Sequence, residues 1–448
     1  MLHRYLPHTT EDITAMLDKC GMKSLDELYS DVPEQLLLKR DYDLPDEMSE
    51  KEVRDFFRSL ADNNRRLTCF AGAGYYDHYT PAVVKSVLAR SEFLTAYTPY
   101  QPEISQGTLQ YIFEYQSMMA SLTGLDVSNA SMYDGATATA EAMLMTVAAS
   151  RKRNRVLISD TVLPQVKAVV ATYARYHGVR LDLIPECYGA TSREHLDVML
   201  AEGDVAGVIV ASPNRFGILE DFSGVADAVH SAKALLVMNS PASALGVIKS
   251  PGEWGADIAA GDAQSLGMPL DFGGPYLGYL CATKALMRKM PGRIVGATVD
   301  DRGQRVFVLT LQAREQHIRR EKATSNICSN QGLMALFVSV YLSLLGTGGL
   351  KEVNRIGYAG AHYLAERLAS TGRMRLTYPG TSFLNEFVMT TVDKVDDIIA
   401  AGVAEGILPG VKLGDHEILI AVTEMQSRAD LDRYVEIVSS LSGETTDN

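Results

Sequence analysis

The spacing of apolar and polar residues divides the chain into segments of different character. Between about 131 and 290, short apolar runs alternate with longer segments that carry apolar residues at helical spacing. The strands predicted in this region are 155–159, 180–184, 206–211, 234–238, 257–260 and 276–281, and the predicted helices are 136–150, 163–176, 193–201 and 224–231. Such alternation predicts a mostly parallel sheet that helices cover on both faces.

The part before this region is helical and irregular. Ser49 and Glu52 form a capping box that opens one helix, and a second helix is predicted over 108–122. The first helix carries apolar residues at helical spacing, namely Val53, Phe56, Phe57 and Leu60.

The C-terminal part is a smaller α+β unit. Helices are predicted over 333–345, over 353–368, after Val395 and from Ala429, with strands over 383–389 and 417–422. We therefore expect three parts: a helical or extended arm and interface segment over 1–130, a large α/β domain over 131–345, and a small α+β domain over 346–448.

Composition and charge narrow the class of protein. The chain has 448 residues with 42 basic and 55 acidic side chains, a net charge of −13, which argues against a nucleic acid or an anionic membrane as partner. Five scattered cysteines without a CxxC motif argue against a disulfide scaffold and favour a reducing compartment. The longest apolar run, 333–345, is shorter than the ~20 residues of a membrane span. We expect a cytoplasmic protein.

Common catalytic motifs are missing from the sequence. There is no GxGxxG, no Gly-Lys pair of a P-loop, no HExxH and no GxSxG, and the nine histidines do not pair at metal-ligand spacing. The sequence therefore predicts neither a dinucleotide or P-loop site nor a catalytic metal.

Two loops combine aromatic and polar side chains with Gly and Pro turns. The first, 70–81, contains His78, and the second spans 97–108. Pro and Gly can hold such side chains rigidly around a ligand, although many loops of this composition only connect elements. The candidates in the second loop are Tyr97, Thr98, Tyr100, Gln101, Glu103 and Gln106.

Two further segments could bind an anion. Gly135, Ala136 and Thr137 begin an Ala-rich helix whose free N–H groups could seat a phosphate, although an ordinary capped helix is equally compatible. The run 314–328 places four cations within nine residues, which would suit a carboxylate or phosphate unless they only pair with Glu315 and Glu321. The candidates there are Arg319, Arg320, Lys322, Thr324, Ser325 and Asn326.

These four segments, in this order, resemble the P protein of the glycine cleavage system. The resemblance also includes Arg4–His8 (RYLPH), 129–141, 273–276 (GGPY), 291–293 (PGR) and 309–312 (LTLQ), so that it covers nearly the whole chain. It is strongest to the first half of that protein, which in many prokaryotes is a separate α subunit. The resemblance implies an aspartate-aminotransferase-like fold, the fold type I of pyridoxal-phosphate enzymes.

The resemblance also implies a reaction and its partners. In this family a lysine holds pyridoxal phosphate as a Schiff base, glycine loses its carboxylate as CO2, and the aminomethyl group passes to the lipoyl arm of the H protein. The expected partners are a second (β) subunit of the P protein, the lipoylated H protein and glycine. The family suggests two copies of each subunit, a heterotetramer.

The lysine that this chemistry needs is missing at the expected place. The strand 234–238 runs into Asn239, with no acid to partner the cofactor ring, and the stretch 257–267 contains no lysine. Comparison with the family pattern puts Gln264, or a close neighbour, in the lysine position. Lys249 and Lys284 flank the region, and we expect both to be surface side chains.

Three hypotheses follow for the role of the chain. The first is an α subunit without its own covalent cofactor, which lends residues from 97–107 and 314–326, and the entrance residue His78, to a site whose lysine lies on the β subunit. Those residues would position the cofactor phosphate, the glycine carboxylate or the lipoyl arm. The second is a self-sufficient decarboxylase or lyase that uses Lys249 or Lys284. The third is a catalytically inactive scaffold or regulatory subunit.

Overall fold

The structure, a computed structural model, describes residues 5, 7–150, 152–311, 316–323 and 325–441. The chain divides into two units, 1–65 and 66–448. The three-part division expected from the sequence stays a prediction.

The first unit consists of two helices joined by irregular chain. They are α1 (Thr10–Cys20) and α2 (Glu50–Ala61), with 3-10 turns at Leu25–Tyr29 and Glu34–Leu36. Ser49 caps α2 and Glu52 reaches back to it, which confirms the predicted capping box. None of the described residues from 5 to 65 is buried.

The second unit contains the remaining elements. Its helices are α3 (Ala82–Leu88), α4 (Ser91–Leu94), α5 (Gln106–Thr123), α6 (Gly135–Ser150), α7 (Pro164–His177), α8 (Arg193–Ala201), α9 (Val225–Ser231), α10 (Gln316–Arg319), α11 (Gly332–Ala369), α12 (Val395–Ala404) and α13 (Arg428–Ser440). Its strands are β1 (Thr68–Cys69), β2 (Val127–Ser128), β3 (Arg155–Ser159), β4 (Arg180–Ile184), β5 (Glu186–Cys187), β6 (Ala190–Thr191), β7 (Val205–Ala211), β8 (Leu235–Asn239), β9 (Ile258–Asp262), β10 (Gly278–Ala282), β11 (Ile294–Val299), β12 (Arg305–Thr310), β13 (Met374–Leu376), β14 (Glu386–Thr391), β15 (Ile407–Leu408), β16 (Val411–Gly414) and β17 (Glu417–Ala421).

A seven-stranded sheet forms the centre of this unit. Its order is β2-β10-β9-β8-β7-β3-β4, and the pairs from β9 to β4 are parallel whereas β10 is antiparallel to both of its neighbours. Alternate residues of β3 face opposite sides: Val156 and Ile158 pack with α6 and α7, and Leu157 packs with α8 and α9. The predicted mostly parallel sheet with helices on both faces is therefore confirmed.

A four-stranded antiparallel sheet, β13-β14-β17-β16, lies in the C-terminal part. Its core includes Leu364 of α11, Ile398 of α12 and Tyr434 of α13. The short strand β1 pairs with β15, so residues that follow Arg66 also belong to this region.

The two helices predicted over 333–345 and 353–368 are both present in the structure. They lie within α11, where Gly346, at φ 59° and ψ −173°, forms a kink between them instead of a loop. By length and composition, α11 is the one described helix that could cross a membrane, which is weak evidence because helices of a soluble core pass the same test. The hairpin β11–β12 was missed, although its strands 294–299 and 305–310 are rich in β-branched and aromatic residues and flank a turn that contains Gly303.

Candidate functional site

A small cavity lies where the parallel strands end. β8 ends at Asn239, β9 ends at Asp262 and α6 begins at Gly135, and all three residues line a cavity of about 30 Å³. Other polar residues of its wall include Tyr75, Ser240 and Glu386. In open α/β sheets, ligands bind at this carboxyl edge of the strands.

Gln264, the residue expected in the lysine position, is completely buried and fully hydrogen bonded. Its Nε2 donates to the carbonyl oxygens of Tyr76 and Met268, both at 2.7 Å, and its Oε1 accepts from the Tyr76 amide at 2.9 Å. Both amide hydrogens are therefore used to fix the segment around Tyr76. An amide does not form an imine, so this side chain has a structural role.

The amides at the start of α6 already have anionic partners within the chain. The Gly135 N–H donates to Oδ2 of Asp262 at 2.9 Å, and the Thr137 N–H donates to Oδ1 of Asp134 at 2.8 Å. A Cβ at Gly135 would lie 2.6 Å from the Asp262 nitrogen, so only glycine permits this approach. Two of the three amides expected to seat a phosphate thus donate to carboxylates.

These features do not fit a covalently bound pyridoxal phosphate in this chain. The cavity has room for about one water molecule, and Asn239 at the end of β8 offers no carboxylate to a ring nitrogen. The Asp262 carboxylate already accepts from the Gly135 amide and would repel a phosphate there. Burial raises the pKa of Asp262 to about 7, although the Gly135 and Gln264 amides oppose the shift.

Glu386 is a buried carboxyl that the sequence analysis missed. Its Oε1 accepts from the Ala73 amide at 2.6 Å, and its Oε2 accepts from the Tyr76 hydroxyl at 3.0 Å. Burial raises the pKa of Glu386 to about 7. Together with Gln264 it fixes the loop 70–81, one of the two predicted aromatic loops.

We expect Glu386→Gln to remove part of the dependence of stability on pH. Because the folded protein holds the Glu386 proton more tightly than the unfolded chain does, wild-type stability should fall as pH rises through about 7. Between about pH 5 and 8 the wild type should lose roughly 2 kcal/mol relative to Glu386→Gln, measured by urea denaturation at each pH. The exposed control Glu352→Gln should keep the wild-type profile, and parallel profiles for all three proteins would contradict the expectation.

His78 is buried beside a second carboxyl. Its Nδ1 lies 2.8 Å from Oε2 of Glu424, whose Oε1 accepts from the Tyr79 amide. Burial alone would raise the pKa of Glu424, but the hydrogen bonds from His78 and from the Tyr79 amide help to outweigh burial, and the pKa is lowered. Within the described part of the chain, Nε2 of His78 has no hydrogen-bond partner.

In the second aromatic loop, some candidate side chains are exposed to solvent and others form hydrogen bonds within the protein. Tyr97 is 80% exposed, Gln101 and Glu103 are exposed, and Thr98 is half-buried. The Tyr100 hydroxyl accepts from Nη2 of the buried Arg293 at 3.2 Å, and the guanidinium lies 5.3 Å from the centre of the ring. In contrast, Gln106 exchanges two hydrogen bonds with the backbone of Phe307 and so ties the loop to β12.

The basic segment borders a cleft of about 500 Å³, which is distinct from the small cavity. Arg320, Ser325 and Asn326 line this cleft, whereas Arg319 and Lys322 are exposed beside it in sequence. His78 and the 97–107 candidates are not among the described residues that line it. Arg314, Glu315 and Thr324 lie outside the described residues.

Glu141 in the floor of this cleft was also missed. The Ser325 hydroxyl donates to its Oε1 at 2.7 Å, and burial raises the pKa of Glu141 to about 7. An acidic residue is unusual within the run Ala138–Ala142 of a buried Ala-rich helix. This feature of the sequence could have identified Glu141 as a candidate.

The fold and the geometry of the strand ends define the class: this chain has the architecture of fold type I pyridoxal-phosphate enzymes. A glutamate decarboxylase from Lactobacillus brevis has a similar fold, with a TM-score of 0.68 at 12% identity over 92% of this chain and 96% of that chain. The chain belongs to the glycine cleavage system P-protein family, whose model matches residues 3–438.

Two closer relatives agree with this family. A probable glycine dehydrogenase (decarboxylating) subunit 1 from Geobacillus thermodenitrificans is 50% identical over 97% of this chain and 98% of its own length. A crystal structure of a glycine decarboxylase (P-protein) of the glycine cleavage system, in inhibitor-bound form, has a TM-score of 0.88 at 42% identity, covering 98% of this chain and 99% of that chain. The resemblance expected from the motifs is confirmed.

Proposed function

We propose that the chain is the subunit of a heteromeric glycine decarboxylase that carries no Schiff-base lysine. A second (β) subunit would hold pyridoxal phosphate covalently through its lysine. When bound, the cofactor supplies an electron sink for the electrons that remain when glycine loses CO2. The aminomethyl group would then pass to the lipoyl arm of the H protein. The scattered free cysteines favour a cytoplasmic site of action.

The hydrogen bonding of Gln264 is the observation that carries this proposal. Gln264, which we propose occupies the lysine position, satisfies three backbone groups in a buried environment. This chain therefore needs a partner for the covalent step, and the relatives named subunit 1 support the presence of a second subunit.

The exposed candidates are the residues that we propose this chain lends to the shared site. Arg319, Arg320 and Lys322 offer cations for the cofactor phosphate or the glycine carboxylate. Tyr97 and Tyr100 offer aromatic surface to the lipoyl arm, with Thr98, Gln101 and Glu103 beside them. Gln106 and His78 would act indirectly, because both are engaged in holding their loops.

A self-sufficient enzyme that uses Lys249 or Lys284 is the second candidate, but their surroundings do not favour it. Nζ of Lys249 lies 3.6 Å from the centre of the Trp254 ring at an exposed position, and Lys284 is exposed. Neither lysine lines the cavity at the strand ends. A catalytically inactive scaffold is the third candidate. The activity of the reconstituted enzyme with variants of Tyr100, Arg319 and Arg320 distinguishes a scaffold from a subunit that lends residues to the site.

Hydride trapping tests the assignment directly. The chain and the second subunit are incubated with pyridoxal phosphate, separately and together, reduced with borohydride and mapped by peptide mass spectrometry. We expect the pyridoxyl label on a lysine of the second subunit, and glycine decarboxylation only from the mixture. A stoichiometric label on Lys249, Lys284 or any other lysine of this chain would overturn the proposal.

A further inference from the structure

The chain that follows the basic segment is hydrogen bonded to the residues that precede α6. The Ser131 hydroxyl accepts from the Gln331 amide at 3.0 Å. The Tyr133 hydroxyl accepts from the Cys328 amide at 3.2 Å. As the numbers of the acceptors rise from 131 to 133, those of the donors fall from 331 to 328, so the two stretches of chain run in opposite directions.

Glu141 of α6 continues this arrangement at the end nearest to the basic residues. Its Oε1 accepts from the Ser325 hydroxyl at 2.7 Å. Ser325 is half-buried, and Ile327, two residues further on, is packed into the hydrophobic core. Because Ser325 comes three residues after Lys322, this bond lies where the basic segment joins the body of the protein.

Open space separates the basic residues from the helices that they face. Arg320 and Glu321 line one side of the cleft of about 500 Å³, and Tyr173 and His177 of α7 line the other side. Every described residue that lines this cleft belongs to the second unit. Packing across such a space is sparse, so a hydrogen bond at its floor has a large influence on where the basic residues lie.

A carboxyl group at position 141 is costly for folding. Glu141 is 2% exposed, and its neighbours Ala140 and Ala142 are completely buried. Burying an ionisable group costs free energy unless its partners compensate for the loss of water. The stability of α6 therefore does not explain an acidic residue at this position, whereas the bond to Ser325 gives the carboxyl a use.

We infer that Glu141 is a positioning residue, which through Ser325 holds the basic residues 319–322 where their cations bind an anionic group. This inference rests on the proposed function, in which these cations bind the cofactor phosphate or the glycine carboxylate. Without the bond, the segment has to become ordered when the anion binds, and this cost weakens binding. The value of kcat is less affected, because the ordering precedes the chemical step.

Trypsin digestion of the full-length chain tests the bond without an activity assay. Glu141→Met and Ser325→Ala each remove the bond, and both should speed cleavage after the basic residues 319–322 about 10-fold. Cleavage after Arg302, in the turn between β11 and β12, should keep its rate. Glu141→Gln retains an oxygen that accepts from Ser325, so this variant should be digested like wild type.

The same variants are then assayed in the enzyme reconstituted with the second subunit. For Glu141→Met and Ser325→Ala, the KM for glycine or the concentration of pyridoxal phosphate that gives half-maximal activity should rise about 10-fold, with kcat close to wild type. Glu141→Gln should behave like wild type. Ser223→Ala is the matched control, because the Ser223 hydroxyl also donates to a carboxylate, that of Asp221 at 2.6 Å, and its loss should change neither assay.

Three results would overturn the inference. They are unchanged digestion of Glu141→Met and Ser325→Ala, digestion of Glu141→Gln as fast as that of Glu141→Met, and faster digestion with wild-type requirements for both glycine and pyridoxal phosphate. Circular dichroism establishes that the variants are folded, and if Glu141→Met does not fold, Ser325→Ala decides. If the wild-type chain and the second subunit together do not decarboxylate glycine, the proposed function fails, which the digestion pattern does not depend on.

Discussion

Replacing Gln264 by leucine should lower the free energy of unfolding by about 3–5 kcal/mol. The leucine side chain cannot replace the three hydrogen bonds that the amide makes to the backbone of Tyr76 and Met268. All of these groups then remain buried without a partner, and each costs about 1–3 kcal/mol, partly offset by the apolar leucine. The loss is therefore the result of removing a structural link and not of removing a catalytic group.

The matched control for this prediction is Gln165→Leu. Gln165 is exposed, and its Nε2 donates one hydrogen bond to the Ala73 carbonyl at 2.9 Å. Its replacement should cost less than about 1 kcal/mol, because water can satisfy the freed carbonyl. Both variants are compared by guanidinium denaturation followed by circular dichroism. Equal destabilisation by the two variants would show that Gln264 is not the link described here.

Simultaneous replacement of Tyr100, Arg319 and Arg320 by alanine should lower kcat/KM for glycine decarboxylation in the reconstituted enzyme by about 100-fold or more. All three side chains are exposed, but Tyr100 also accepts a hydrogen bond from the buried Arg293, so circular dichroism and urea denaturation first establish that the triple variant is folded. The expected loss comes from the removal of two cations and one ring that would orient anionic groups and the lipoyl arm in the shared site. Assays with free lipoate and with lipoylated H protein separate the two effects.

The control for the triple variant replaces two arginines and one tyrosine outside the two candidate segments. Arg355, Arg428 and Tyr358 lie on exposed positions of α11 and α13, and their replacement by alanine changes the net charge equally. This control should retain wild-type activity and assembly. If the triple variant of Tyr100, Arg319 and Arg320 also keeps both, these residues are not lent to a catalytic site, and the scaffold hypothesis gains support.

The local periodicity of the chain was sufficient to predict most of the central sheet. The strands Arg155–Ser159 and Arg180–Ile184 and the helix Arg193–Ala201 were predicted with their observed limits. These elements are specified by runs of neighbouring residues and by caps such as Ser192, so that no distant contact is needed to identify them. The family resemblance, carried by long motifs, supplied the fold type and pointed to Gln264.

The candidate site could be predicted only in part from the sequence. The loops 70–81 and 97–107 and the basic segment were identified by composition, but their division into exposed and structural side chains was not. Gln106, for example, belongs to the same loop as the exposed Tyr97, yet it bonds to Phe307, 201 positions away. No local pattern encodes such a pairing.

The amino-acid sequence by itself determined the alternation of strands and helices, the capping box of Ser49 and Glu52, and the absence of a lysine between 257 and 267. Only the tertiary structure decided that Glu386 meets Ala73 and that Asp262 meets Gly135, and hence that two of the chain's own carboxylates line the cavity. The physical reason is that helix and strand propensities depend on neighbours in sequence, whereas burial and hydrogen bonding of a side chain depend on which distant segments pack around it.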